Sequence, residues 1–334
     1  MEFESNMILT DGDDLRPLEA ECMDDAMLEA VIAPELAGQR LDKVAALSFQ
    51  DFSRARLQSW ISQGRMTVDG QVKTGTWKVR GGELLVLLPT ASEESLAFTP
   101  QPVEFGVWYE DEHIVVIDKP AGLVVHPAAG NWQGTLLNGL LYRYPETQFL
   151  PRAGIVHRLD KDTTGLMVVA RTLEAQTSLV RQLQARTMSR RYLAMCWGHL
   201  NSQTIDAALG RDPRDRLRMA VVRQGKAART QVKVLTQGVL NGHVVSAVEC
   251  QLETGRTHQI RVHLAHSGHA LVGDPLYASR LQSTWTDFPR QALHAYALGL
   301  QHPHSAASLQ WGSPLPADMD ELGQQADIHG WEQG

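Results

Sequence analysis

Three cysteines in 334 residues, Cys22, Cys196 and Cys250, are too few and too far apart for a disulfide framework or a zinc ribbon. Their odd number and wide spacing fit a reducing compartment. No apolar run approaches the roughly 20 residues that span a bilayer, and mean hydropathy is -0.23. The first residues, MEFESNMILTDGDDL, have neither a basic n-region nor an apolar h-region. No secretory signal is expected, and the expected location is the cytoplasm. No fixed-period repeat and no P-loop is present. Apolar residues at 43% and charged residues at 21% exclude a wholly disordered chain. The length fits about two domains.

Acidic charge dominates the total, -7, but not its distribution. Residues 1–30 carry a net -9, whereas 31–90 carry +3 and 151–233 carry +10. Two cationic segments in an acidic protein suit a polyanion, because Lys and Arg near phosphates release condensed counterions. Charges scattered over solvated faces fit the same counts.

Residues 1–32 read as an acidic flexible tail. Residues 33–90 read as a small α/β module. GQRLDKVAAL has the period of a helix, and Ser53 caps a second one through RARLQSWISQ, with Gly64 as its stop. MTV and QVK flank an Asp69-Gly70 hairpin turn, and Gly81-Gly82 precedes the strand LLVLL. A polar linker over 91–98 leads to a larger domain, 99–334. There HIVVID, LVVHP, GLMVVA, RRYLAMCWG, ARTQVKVL and HVVSAVECQL read as extended pieces. TLLNGLLYRY, LEAQTSLVRQLQAR and THQIRVHLAHSG read as helices, the last closed by Gly268. On that helix Thr257 and Arg261 are expected to be neighbours. So many strands joined without helices imply an α+β fold with a mixed or antiparallel sheet.

The sharpest stretch is Arg152-Ala-Gly-Ile-Val-His157-Arg158-Leu159-Asp160-Lys161-Asp162-Thr163-Thr164-Gly165. It places a carboxylate in a polar loop ahead of a buried strand, where catalytic groups concentrate. Nearby cations favour the ionised carboxylate that a nucleophile or general base requires. Asp160 fits that role or a turn cap; Asp162 fits the turn cap. A kinase reading fails, because Leu159 interrupts His-Arg-Asp and no Asp-Phe-Gly follows. In Thr254–His263, Arg261 can reach a carboxylate on another element or lie on the surface. His258, His263, His266 and His269 lack metal-ligand spacing and read as structural histidines. A metal-dependent nucleic-acid hydrolase built on them is a weaker alternative. Arg190-Arg191-Tyr192 fits base stacking beside phosphates or a half-buried strand tyrosine.

These segments together resemble the RluA-type pseudouridine synthases, in the branch that acts on large-subunit ribosomal RNA. The stretches that carry the resemblance are Lys119-Pro120-Ala121-Gly122-Leu123, AGIVHRLDKDTTGLMVVA, Arg190–Tyr192, Thr254–His263, Gly273–Tyr277 and Leu293-His294-Ala295. Residues 33–90 resemble the S-four type RNA-binding domain. One departure is Ala227, where relatives commonly have Pro.

The resemblance implies isomerisation of uridine to pseudouridine in large-subunit ribosomal RNA or a pre-ribosomal particle. It implies no cofactor, metal or membrane, and a monomer. Asp160 falls on the essential aspartate, with Arg261 as its ion-pair partner and Tyr192 stacked on the flipped uracil. Arg158, His157 and Leu293 fall on substrate-binding positions. Arg40, Lys43, Arg54 and Arg56 of the S-four module would contact phosphates. A catalytically inactive RNA-binding assembly factor is the alternative, which the intact Asp160, Tyr192 and Arg261 set argues against.

Overall fold

A computed structural model describes residues 27–89, 93–128 and 130–331. The chain divides into two compact units, residues 1–96 and 97–334. The first contains β1 (Leu28–Val31), α1 (Leu41–Ser48), α2 (Arg54–Ser62), β2 (Met66–Val68), β3 (Gln71–Val72) and β4 (Leu84–Leu87). The sheet order is β1-β4-β2-β3, antiparallel throughout. Ser53 Oγ accepts from the Arg56 amide at 3.3 Å, as an N-cap does. Asp69 and Gly70 both have positive φ, 48° and 75°, which matches the twist of a tight hairpin. Leu41, Val44, Leu57, Trp60, Ile61, Leu85 and Leu87 form one core.

The expected tail, 1–32, needs correction at its end. Residues 1–26 lie outside the described residues, but Leu28–Val31 is a strand paired with β4. Leu28 and Ala30 are half-buried while Glu29 and Val31 are exposed, so the alternation of a one-sided strand was hidden among acids. The boundary of the second unit also lies earlier than 99. Asn138 Nδ2 donates to the carbonyls of Ala97 and Thr99 at 3.0 and 2.9 Å, which ties the end of the expected linker to the second unit.

The second unit contains β5 (Gly106–Glu110), β6 (Ile114–Lys119), α3 (Leu136–Arg143), β7 (Thr164–Ala170), α4 (Leu173–Ala185), β8 (Ser189–Trp197), β9 (Gln203–Asp206), β10 (Leu209–Arg211) and β11 (Met219–Val221). It continues with β12 (Arg229–Leu240), β13 (His243–Leu252), α5 (Gln259–His266), β14 (Leu293–Gln301), β15 (Ser308–Gly312) and α6 (Ala317–Gln325). The large sheet runs β5-β6-β7-β14-β8-β13-β12-β9, with β15 also on β14. Among the described residues only the β14–β7 pairing of this sheet is parallel. This is the α+β architecture with a mixed sheet that the sequence implied.

β7 is buried along its whole length, as its unbroken apolar sequence requires of a central strand. Gly165, at φ 110°, lets it approach β14: a Cβ there would lie 2.3 Å from the Ala295 carbonyl oxygen. One face of the sheet carries Val115, Met167, Tyr192, Ala194, Val248 and Leu293, which share a single core with Ile260 of α5. LVVHP is not a strand: its backbone is irregular with a bend at Val125-His126, and the Val124 and Val125 carbonyls accept from the Leu136 and Leu137 amides at the start of α3. β10 and β11 form a separate hairpin.

Candidate active site

Asp160 lies in the loop that enters β7, with its side chain 15% exposed. Lys119, at the end of β6, fixes that loop from below. It is fully buried, and its Nζ donates to the carbonyls of Pro120, Leu123 and Lys161 at 2.8, 2.9 and 2.7 Å. Burial pushes the Lys119 pKa down to about 7, with Asp162 and Asp160 opposing the fall. The Thr163 amide closes a turn on the Asp160 carbonyl at 3.1 Å. Asp162 takes part in turn structure, its carbonyl accepting from Arg290 at 3.1 Å.

Arg261 reaches Asp160 from α5. Its Nη1 donates to Asp160 Oδ2 at 3.1 Å. Its Nε and Nη2 form a bidentate pair with Asp274 at 2.8 and 2.9 Å. Asp274 is itself held by the amides of Leu276 and Tyr277, at 2.9 and 3.0 Å. A guanidinium is a rigid plane, so gripping two of its nitrogens aims the third. Burial opposes the charge on Arg261, but Asp274 and Asp160 together hold its pKa above the usual guanidinium value.

A second chain of contacts ends on the other oxygen of Asp160. The Met219 amide donates to Tyr277 Oη at 2.9 Å, and Tyr277 Oη lies 2.8 Å from His258 Nδ1. The tyrosine proton is therefore free for Nδ1, and in that tautomer the Nε2 proton faces Asp160 Oδ1, 3.8 Å away. Burial lowers the His258 pKa, while Asp160 pulls it back. His258 and Thr257 precede α5 rather than lying on it, and His258 holds φ 56°. The expected helical pairing of Thr257 with Arg261 is thus corrected: the chain turns through a left-handed residue before the first helical turn.

Tyr192 projects from β8 into the same core as Leu159, Ile260 and Leu293. It is 5% exposed, and burial raises its phenol pKa; Arg190 lowers it and Asp160 raises it further. Asp160, Tyr192 and Arg261 thus converge from a loop, a strand and a helix. Leu293 packs in that core at the start of β14. His157 Nε2 accepts from the Val168 amide at 3.2 Å, and burial pushes the imidazole pKa down to about 3. Arg158 is exposed beside it.

His263 and His269 are committed elsewhere. His263 Nδ1 and Nε2 meet Thr230 Oγ1 and the Ala207 carbonyl, each at 2.9 Å. His269 Nδ1 meets the Trp197 carbonyl at 2.9 Å. Among the described residues no cluster of three His, Cys, Asp or Glu side chains is arranged for a metal, and no helix is long and apolar enough to cross a membrane.

In the first unit, Arg40 and Arg54 both bond Asp42, at 3.0 and 3.1 Å, and Gln58 adds a third contact at 3.0 Å. The Arg40 bond leads in holding the buried Asp42 carboxyl at about 2. Arg56 lies over Trp60, 4.8 Å from the ring centroid. Lys43 is exposed on the same helix as Asp42.

The sequence reading did not anticipate Asp274, His258 and Tyr277 as parts of one site. Gly273-Asp274-Pro275-Leu276-Tyr277 reads as a turn. Its hidden signal is a carboxylate one glycine after the apolar Leu271-Val272, a position that needs a cation when buried.

Residues 113–266 match the profile of the RNA pseudouridylate synthase family. A ribosomal large subunit pseudouridine synthase D of Pseudomonas aeruginosa is 52% identical over 89% of this chain and 95% of its own. Proteins of the same name from Nitrosomonas europaea and Escherichia coli K12 are 49% and 47% identical over 88% of this chain, covering 86% and 93% of theirs. This chain belongs to the RNA pseudouridylate synthases. Among solved structures, human RNA pseudouridylate synthase domain containing 1 superposes with a TM-score of 0.52 at 27% identity, over 72% of this chain and 98% of that one. The α+β fold and the RluA-type resemblance of the sequence agree with these relatives.

Proposed function

We propose that this enzyme isomerises specific uridines to pseudouridine in large-subunit ribosomal RNA, with Asp160 as the reacting group. The names of its relatives supply the substrate, and the Asp160–Arg261–Asp274 arrangement carries the chemistry. A flipped nucleotide enters beside Asp160, at a cost of a few kcal/mol for unstacking. Asp160 acts as nucleophile on the sugar or the base, or as base toward the C2′ proton. By each route uracil leaves with the electron pair of the C1′–N1 bond. It rotates against Tyr192, and C5 bonds to C1′ as Asp160 is released from its adduct or gives back the C2′ proton; C5 then loses its proton and N1 gains one. Arg261 keeps the carboxylate aimed; Tyr192 offers an aromatic face and the hydroxyl nearest to hand for the last proton. Leu293 forms the floor beside it. Arg158 faces the strand from which the uridine came, and His157 supports the loop behind it.

Cations suited to the RNA backbone occur in both units. The β10–β11 hairpin and its flanks, residues 211–226, hold Arg211, Arg214, Arg216, Arg218, Arg223 and Lys226 against only two acids. Arg218 lies over the Tyr277 ring, 5.3 Å from its centroid, so this basic hairpin borders the site. In the S-four type module, Lys43 presents its charge directly. Arg40 and Arg54 present theirs from a fixed position on Asp42, and Arg56 from its stack on Trp60. Phosphate contacts of this kind set register more than sequence choice. The enzyme acts as a cytoplasmic monomer on ribosomal RNA or a pre-ribosomal particle, without a metal or cofactor.

The test is tritium release from large-subunit ribosomal RNA labelled at uridine C5. The wild type releases tritium in EDTA, and Asp160→Asn binds the RNA within a few fold but releases none. Turnover by Asp160→Asn sinks the assignment. Binding by the wild type without any release favours an inactive assembly factor.

A further inference from the structure

Arg190 is a buried cation without a counter-charge. It is 6% exposed, and among the described residues it donates no hydrogen bond and no carboxylate lies within ion-pair reach. Its Nε is sealed from solvent with no acceptor. Its neighbour Arg191 is different: it pairs with Glu249 at 3.4 Å and lies over Tyr296 on the opposite face of β8. Strand alternation therefore puts Arg190 on the same face as Tyr192 and Ala194, which belong to the core of Leu159, Ile260 and Leu293. Space is kept for the guanidinium. A Cβ on Gly255 would lie 2.6 Å from Arg190 Nη1. Other local carboxylates are engaged: Glu253 with Arg186 and Arg229, Asp160 with Arg261.

Burying an unpaired guanidinium is costly, and a group that cannot shed its proton cannot escape the cost by neutralising. Such a charge is stable only because the rest of the fold holds it there, and it is useful where a reaction brings an anion to it. The uracil in the proposed reaction becomes that anion. When C1′–N1 breaks, the ring takes the electron pair, and its charge spreads from N1 onto the carbonyl oxygens. When C5 bonds to C1′ that charge is spent in the new bond, and the ring stays neutral overall as C5 then loses a proton and N1 gains one. Tyr192 is two residues from Arg190 on one face, about 6.7 Å along the strand, a gap that an arginine side chain spans. A backbone phosphate stays with the strand outside, whereas the flipped base is the part that enters the cleft.

We propose that Arg190 is a substrate-contacting residue, whose guanidinium receives a carbonyl oxygen of the flipped uracil and holds the charge that oxygen gains as the glycosidic bond breaks. The inference rests on the function proposed above. Arg190 neither gives nor takes a proton in it.

Full-length wild type, Arg190→Met and Arg190→Lys are compared for melting temperature, for binding to a large-subunit ribosomal RNA transcript across salt, and for single-turnover tritium release at saturating RNA. Arg190→Met should melt at or above the wild-type temperature, because it removes an unpartnered charge. It should bind within about three-fold with an unchanged salt slope, and react about 100-fold more slowly, the usual effect of losing one donor to a developing oxyanion. Arg190→Lys should recover part of that rate. Wild-type turnover by Arg190→Met overturns the proposal. So does a lowered melting temperature in which Arg190→Lys is as slow as Arg190→Met, since that marks a structural role. Weaker binding with a shallower salt slope and a normal saturated rate also overturns it, because the ligand is then a phosphate. Wild-type protein that releases no tritium fails the functional reading instead, and the melting comparison still decides whether Arg190 is an unpartnered charge.

Discussion

Arg261 does two jobs that a pair of substitutions separates. Toward Asp274, whose side chain is fully buried, it is half of an internal ion pair with two hydrogen bonds. Toward Asp160, 15% exposed, it is an aiming device with one. Arg261→Ala abolishes both. Removing one partner of a buried pair typically costs about 3–5 kcal/mol, because the survivor is left charged and unpaired. A domain of ordinary stability has only about 5–15 kcal/mol to lose. Most of the loss should come from Asp274, because water reaches Asp160 but not Asp274. Adding Asp274→Asn to Arg261→Ala removes that stranded charge. The new amide oxygen still accepts from Leu276 and Tyr277, as Asp274 Oδ1 does now at 2.9 and 3.0 Å. The double variant should therefore recover most of the lost stability in urea titrations, by roughly 2–4 kcal/mol relative to Arg261→Ala. It should recover none of the single-turnover tritium release, because Asp160 still lacks its aiming cation. A double variant no more stable than Arg261→Ala refutes the view that Asp274 bears the cost. Activity that returns along with stability shows that Arg261 serves only the fold.

Tyr192→Phe keeps the stacking face, worth about 1–3 kcal/mol by alanine truncation, but loses the hydroxyl; RNA affinity should hold while pseudouridine forms far more slowly, and a wild-type rate by mass-based detection contradicts a proton-transfer role. Lys119 titrates at about 7 in the fold against 10.5 ordinarily, so between these values the unfolded chain holds a proton that the folded chain has released. Its presence therefore favours folding increasingly as pH rises through that window, by up to about 1.4 kcal/mol per unit. The stability difference between wild type and Lys119→Met should shift toward wild type from pH 7 to pH 10; a flat difference means that the three carbonyls keep the ammonium charged. Lys43→Ala should lower the salt slope of ribosomal RNA binding by about one and leave the saturated rate alone; an unchanged slope in filter binding removes Lys43 from the interface.

Elements with strong local signals were legible in the sequence. The Ser53-capped helix, the unbroken apolar strand β7 and the strand His243–Leu252 stand where their patterns put them. β5 and β15 were not, because both are short edge-like strands whose alternation, half-buried and exposed, mixes glycine, polar and aromatic residues without an apolar run. LVVHP misled in the opposite way. Val125 is buried in the core although its segment joins no strand, its carbonyl meeting the start of α3 instead, so hydrophobicity there reports burial and not a strand.

The candidate site divides along the same line between local pattern and tertiary partner. The Asp160 loop stands out by its charge and position before β7, but its partner Arg261 is 101 residues away. No spacing rule brings two such residues together, and only the family resemblance paired them. Asp274 could not be paired from sequence at all, since a carboxylate in a Gly-Asp-Pro turn has a sufficient local explanation. Arg190 and Arg191 are the clearest case. Adjacent and chemically identical, they must face opposite sides once β8 is a strand. Which side faces Asp160 follows only from the order β14-β8-β13 and from α5 laid across one face. The same two letters then become a half-exposed arginine paired with Glu249 and a buried one with no partner among the described residues. That difference belongs to the fold, and it points to the substrate as the missing partner.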